Sequence, residues 1–177
     1  MNCKTTEIFA ETVFTQTKPS RLTRGEWTHD RAFVDALCDS WLQQYEEYLG
    51  ETQAKQLISK LTDNGDLYEH DPNLTLLAWR SNRRVGICSL RMLGGEHKLG
   101  LITQFEVLQC ARRLGIGAQL LNAFEGISAN LMAHVSIHRP AVKAFYLNQG
   151  FHLLQRTSVE HYGYALEFDV VAKRSRF

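Results

Sequence analysis

Between positions 112 and 117 the chain reads Arg112-Arg113-Leu114-Gly115-Ile116-Gly117, two guanidinium groups followed by two glycines at alternate positions. The run falls where a strand-like pattern ends and a helical one begins. The first turn of a helix carries N–H groups without intrahelical partners, together with the positive end of the helix dipole. Glycine lets an anion approach the backbone, and arginine adds mobile positive charge, so this order of residues suits a pyrophosphate cradle. So short a pattern arises by chance in roughly one chain in five at ordinary residue frequencies. Its weight therefore depends on the elements around it.

Upstream, Asp30 is placed to cap a helix in which Phe33, Val34, Leu37, Trp41 and Tyr45 recur at spacings of three and four, and Gly50 would stop it. Ala54, Leu57, Ile58 and Leu61 form a second amphipathic stripe, ended by Thr62-Asp63-Asn64-Gly65. Leu74 to Trp79 and Val85 to Leu93 read as antiparallel strands, and Gly94-Gly95-Glu96-His97 as a turn. In the next strand Leu99, Leu101, Thr103, Phe105 and Val107 share one face, opposite Ile102, Gln104 and Glu106. From Gly115 the period turns helical, with Ile116, Leu120, Leu121, Phe124 and Ile127 on one side. Met132 to Ile137 is a strand, Pro140 opens a helix that Gly150 ends, and Phe151 to Thr157 with Tyr164 to Val171 form a hairpin around Gly163. The predicted order is β-α-α-β-β-β-α-β-α-β-β, an α/β fold with a mixed sheet and helices on both faces. Helices after the fourth and fifth strands imply parallel neighbours there. One domain spanning 1–177 is expected, with residues 1–19 a loose arm or an added edge strand from Glu7 to Phe14.

Composition narrows the function classes. The 20 Lys and Arg balance 19 Asp and Glu, for a net charge of +1, which argues against a nucleic-acid surface. The Lys173–Arg176 tail reads as a solvated end. No segment approaches the ~20 apolar residues of a membrane span and no secretory signal is evident, so a cytoplasmic protein without a membrane partner is expected. Cys3, Cys38, Cys88 and Cys110 are dispersed, without C-x-x-C spacing, and read as reduced thiols rather than metal ligands.

Two separated blocks together resemble the GNAT superfamily of N-acetyltransferases. The first runs from Phe105-Glu106-Val107 through Arg112-x-x-Gly115-x-Gly117-x-x-Leu120-Leu121; the second is Ala144-Phe145-Tyr146-x-x-x-Gly150-Phe151. The resemblance covers roughly residues 20 to 170 in topology and 103 to 151 closely. It implies acetyl-CoA as cofactor and an acetyl group moved to a primary amine by direct attack on the thioester. It further implies a splay between the central parallel strands that admits the pantetheine arm beside Phe105 and Val107. The implied cradle consists of backbone amides of Arg112, Arg113, Leu114, Gly115, Ile116, Gly117 and Ala118. Where relatives usually carry Asn this chain has Arg139, which either meets a phosphate or lies exposed.

An alkylammonium has a pKa near ~10.4, so the acceptor must lose a proton on or before attack. Glu106 and His134 are the candidate bases, on the two strands expected to flank the thioester, and His134 falls where some relatives carry a catalytic glutamate. Tyr146 matches the family tyrosine that can protonate the departing thiolate. Each has a structural reading too: a solvated carboxylate, an inward hydrogen-bonded histidine, and a stripe aromatic. Expected partners are an amine-bearing small molecule or a peptide or protein; a homodimer stays open beside a monomer. The acceptor walls implied are Trp41, Tyr45, Tyr48 and His161-Tyr162-Gly163-Tyr164. The alternative function is a catalytically inactive CoA-binding regulatory module. A dinucleotide-binding unit is excluded by order, since its glycine motif follows the first strand. His134 and His138 do not align as metal ligands on a strand running into a loop.

Overall fold

A computed structural model describes residues 21–65, 71–94, 99–125, 127–128 and 130–174. Its elements are β1 (Arg21–Arg24), α1 (Arg31–Leu49), α2 (Glu51–Asp63), β2 (Thr75–Arg80), β3 (Arg83–Leu93), β4 (Leu99–Val107), α3 (Ile116–Glu125), β5 (Asn130–Ser136), α4 (Pro140–Asn148), β6 (His152–His161) and β7 (Tyr164–Arg174). This is the expected order. The possible strand at Glu7 to Phe14, most of the turn at Gly94 to His97 and the end of the basic tail lie outside the described residues. Among the described residues the first strand is β1.

Local signals act as read from the sequence. The Asp30 carboxylate accepts the Phe33 N–H at 3.2 Å, and Gly50, at φ +80°, ends α1. Pro140 begins α4, where its missing N–H costs nothing. Tyr162 and Gly163, both at positive φ, make the two-residue turn between β6 and β7.

The seven strands lie in the order β1-β2-β3-β4-β5-β7-β6. Only β4 and β5 pair in parallel. The parallel neighbour expected after β5 is absent, because β7 inserts between β5 and β6 and pairs antiparallel with both. The α4 crossover carries the chain from β5 past this position to β6, and the two-residue turn then brings β7 back beside β5.

Helices cover both faces. On one, Phe33, Val34 and Leu37 of α1 pack on Leu77 and Ile87, while Leu57 and Leu61 of α2 pack on Leu166. On the other, Ile116, Leu120, Leu121 and Phe124 of α3 and Tyr146 of α4 join Ala78, Cys88, Ile102, Ala133 and Val171. A Cβ at Gly86 would stand 3.2 Å from the Glu106 carbonyl and 3.4 Å from Leu120, so α3 approaches the sheet where side chains are small.

Asp169 on β7 is buried between Lys143 of α4 (2.8 Å) and Arg156 of β6 (3.1 Å), tying α4 to the sheet. The Lys143 hydrogen bond, then that of Arg156, holds its carboxyl below the usual range against the opposing effect of burial. A carboxyl depressed in the folded state contributes stability fully above its unfolded pKa of ~3.9, and loses it as pH falls through the folded value. Asp169→Asn is therefore expected to melt lower than wild type at neutral pH, with the gap narrowing as pH is lowered below the unfolded value of ~3.9. Thermal melts across that range check it; a gap independent of pH would contradict the assignment.

Candidate active site

The parallel β4–β5 ladder lasts only four residues, from Leu99↔Asn130 to Ile102↔Ala133. Beyond it β4 runs to Val107 and β5 to Ser136 unpaired with each other. At the point of parting β4 carries a bulge: Ser89 pairs with Gln104 and Leu90 with Ile102, leaving Thr103 extra. The single face expected for Leu99, Leu101, Thr103, Phe105 and Val107 is broken there. Ile102, Phe105 and Val107 all turn to the α3 side, because one extra residue inverts the alternation.

Past the bulge, the Leu108 N–H bonds the Val85 carbonyl at 2.9 Å. Alternation then aims the backbone groups of Phe105 and Val107 away from β3, into the gap. The gap opens into a cavity of about 980 Å³. Trp41, Gln44, Tyr45, His134 and Phe168 line it from the α1 face, and Ile102, Ala133, Val142 and Tyr146 from the other. It is a passage through the sheet, made by strands that stop pairing.

His134 lies on β5 with its ring 6.1 Å from that of Phe168. It is exposed to the cavity rather than turned into the core, and partial burial lowers its pKa below the ordinary value. At neutral pH it is an unprotonated imidazole, able to accept a proton. Tyr146, 3% exposed, is enclosed by Phe105, Phe145 and Phe151. Burial above all, with Cys88 and Glu106 adding and Arg139 opposing, raises its phenol well above the ordinary range, so it remains an O–H donor.

Glu106 departs from expectation. It is buried on the α1 face and does not line the cavity. Arg112 Nη2 donates to one carboxylate oxygen at 3.0 Å, and Arg139 Nη1 approaches the other at 3.5 Å. Glu106 thus stands behind the cavity wall as a carboxylate paired with two cations. The same contacts relocate both arginines. Arg139, 22% exposed, lines the cavity and donates to Gln44 Oε1 at 2.9 Å. Arg112 turns its Nε to the Val107 carbonyl at 2.9 Å. Arg113, exposed and at φ +62°, is the arginine left on the outside of the loop.

After Arg112, left-handed backbone at Arg113 and Gly115 redirects the chain, and α3 begins at Ile116. The N–H groups of Ile116, Gly117 and Ala118 are thus first-turn groups, and Leu114 is exposed beside them. The two glycines serve different ends. Gly115, at φ +77°, has open space where a Cβ would stand. At Gly117 a Cβ would lie 3.0 Å from Phe145 and 3.3 Å from Phe105, whose rings stack 5.5 Å apart. Gly117 therefore makes room for the aromatic stack, and its N–H remains one of the first-turn groups. Of the expected acceptor walls, Trp41, Tyr45 and His161 line the cavity, whereas Tyr48, Tyr162 and Tyr164 pack with Leu57 and Leu61 under α2. Among the described residues no group of three or more His, Cys, Asp or Glu is disposed to hold a metal, and no helix is long and apolar enough to cross a membrane.

A sheet parted at its parallel pair, with a helix N-terminus beside the gap, is the architecture of an acyl-CoA transferase. The sequence profile of the acetyltransferase (GNAT) family matches residues 31–151, and the chain belongs to that family. It is an acyltransferase of the N-acetyltransferase type. No curated protein sequence matches it. Among solved structures, it is similar to the Arabidopsis thaliana Naa50 in complex with the bisubstrate analogue CoA-Ac-MVNAL, at 24% identity over 56% of this chain and 72% of that one, TM-score 0.51. A GCN5-related N-acetyltransferase from Rhodopseudomonas palustris is 21% identical over 89% and 97% of the two chains, TM-score 0.64. The PaiA N-acetyltransferase of Thermoplasma acidophilum, in complex with coenzyme A, is 14% identical over 89% and 99%, TM-score 0.70.

The glycine geometry gives a test. Gly117→Ala should lower stability by ~1–3 kcal/mol, the usual cost of forcing an extra carbon into packed surroundings. Gly115→Ala should cost ~1–2 kcal/mol through left-handed strain alone. Urea denaturation of both variants measures this; a neutral Gly117→Ala would contradict the packing role.

Proposed function

We propose that the protein transfers an acetyl group from acetyl-CoA to a primary amine by direct attack on the thioester. The observation that carries this reading is that His134 and Tyr146 reach one cavity from opposite faces of the sheet. A proton acceptor and a proton donor thus flank the passage from either side.

The residues present fit the cofactor. The first-turn amides of Ile116 to Ala118, the open side of Gly115 and the charge of Arg113 suit a pyrophosphate. The backbone groups of Phe105 and Val107 face the gap, as an amide-bearing arm requires. Acetyl-CoA, when bound, supplies an acyl group activated as a thioester.

The chain's own residues supply the proton handling. His134, neutral at pH 7, takes the ammonium proton directly or through a water. The Val107 N–H, aimed into the gap, is the group suited to stabilise developing negative charge on the carbonyl oxygen. Tyr146 donates its phenolic proton to the thiolate; a thiol has pKa ~8.5, so this assistance speeds departure without being indispensable. Trp41, Tyr45 and Phe168 form the acceptor side, which is compatible with an apolar or cationic amine. The peptide analogue bound to the Arabidopsis relative supports including peptide amines among the acceptors.

The test is acetyl-CoA consumption with pooled polyamines, amino acids, aminoglycosides and peptides. Loss of general acid or base catalysis costs about 10²–10⁴-fold, so His134→Ala should fall in that range and Tyr146→Phe near its lower end. Because the His134 pKa is depressed, kcat/KM should rise through a pKa below ~6.5, and this limb should vanish in His134→Ala. Tight CoA binding without turnover for any acceptor would overturn the catalytic reading in favour of a binding module.

A further inference from the structure

Glu106 is a buried ionisable group beside the site that the proposed chemistry leaves unused. Its side chain is 4% exposed, and a carboxylate so deep is costly unless it is paired. Each partner reaches further. Arg112 Nη2, 3.0 Å from Glu106, also lies 3.4 Å from the Ser40 hydroxyl. Arg139 Nη1, 3.5 Å from Glu106, also donates to Gln44 Oε1 at 2.9 Å. Ser40 and Gln44 stand one turn apart on α1 and so share a face, the stretch that presents Trp41, Gln44 and Tyr45 to the cavity.

Three pieces of the site are therefore linked through one carboxylate and its two arginines. They are the start of the phosphate loop at Arg112, the β5–α4 junction at Arg139, and the acceptor wall on α1. We propose that Glu106 is a positioning residue that couples the acceptor wall to the donor loop, so that order in one subsite strengthens binding in the other. The proposal rests on the reading of the loop as a CoA site. Its physical basis is that removing the charge takes from two guanidinium groups the anion they share, leaving them only their neutral contacts at Val107, Ser40 and Gln44. The half through Arg139 is the stronger, since Arg112 is 44% exposed and screened by solvent. Coupling of this kind is reciprocal: a change on α1 must be felt at the loop.

The measurement is the affinity of the full-length protein for CoA itself, by titration calorimetry, with Ser40→Ala, Gln44→Ala, Glu106→Gln and the Gln44→Ala/Glu106→Gln double variant. Losing one hydrogen bond to a charged group should weaken CoA roughly threefold in Gln44→Ala, and losing both ion pairs roughly tenfold or more in Glu106→Gln. The double variant should be no weaker than Glu106→Gln alone, because the Gln44 contact acts through the same carboxylate. With any acceptor found, the rising limb of the pH–rate profile should stay in place in Glu106→Gln.

Unchanged CoA affinity in the folded α1 variants overturns the coupling. Loss of the rising limb in Glu106→Gln overturns it differently, by making Glu106 the base. If wild type itself fails to bind CoA, the functional reading falls and this one with it. Should Glu106→Gln not fold, Ser40→Ala and Gln44→Ala, whose side chains stand on the helix surface, decide the matter alone.

Discussion

Two parallel strands that stop bonding to each other after four residues are the constraint from which the rest of the site follows. Backbone amides inside a protein need partners, and a sheet does not ordinarily part at its centre. Here it can, because each diverging strand is held along its far edge. β3 pairs with β4 from Leu99 to Val107, and β7 pairs with β5 from Asn130 to Ser136. Inserting β7 between β5 and β6 is therefore more than a topological detail. It gives β5 a full antiparallel partner, so that its other edge can remain open. The bulge at Thr103 adds the bend that starts the separation.

An opening through a sheet must also be kept at a fixed width. Much of that work falls to packing around the cofactor loop. Leu120, Leu121 and Phe124 bury α3 against β2 and β3, which fixes the direction of its N-terminus. The Phe105–Phe145 stack rests on Gly117, joining β4, α4 and α3 at one point. Close-packed interiors transmit displacement, so the loop that is suited to phosphate is placed by the same contacts that set the passage.

Electrostatics repeats one device twice. Asp169 and Glu106 are both buried carboxylates, each between two basic side chains drawn from different elements. Asp169 fastens α4 to the β6–β7 end of the sheet; Glu106 ties the loop and the β5–α4 junction to α1. Such pairs add little net stability over an apolar core but specify which elements meet, since a misplaced partner leaves an uncompensated charge. The catalytic candidates need the opposite treatment. Among the described residues His134 and Tyr146 have no ion pair, which suits an imidazole that gains a proton and a phenol that gives one.

The sequence alone determined what depends on near neighbours. Caps at Asp30 and Pro140, stops at Gly50 and Gly150, the hairpin at Gly163 and the helical stripe from Ile116 were all legible, because each rests on interactions within a few residues. The cofactor loop was legible for the same reason, a short run at a strand-to-helix junction. Tertiary structure alone decided the rest. No local pattern discloses that Thr103 is extra to its ladder, that β7 precedes β6 across the sheet, or that Gly117 makes room for rings at 105 and 145. Nor does one disclose that the carboxylate at 106 is shared by arginines six and 33 residues away. Periodicity encodes which side of an element is buried; which charges and rings then meet is set only when the elements pack.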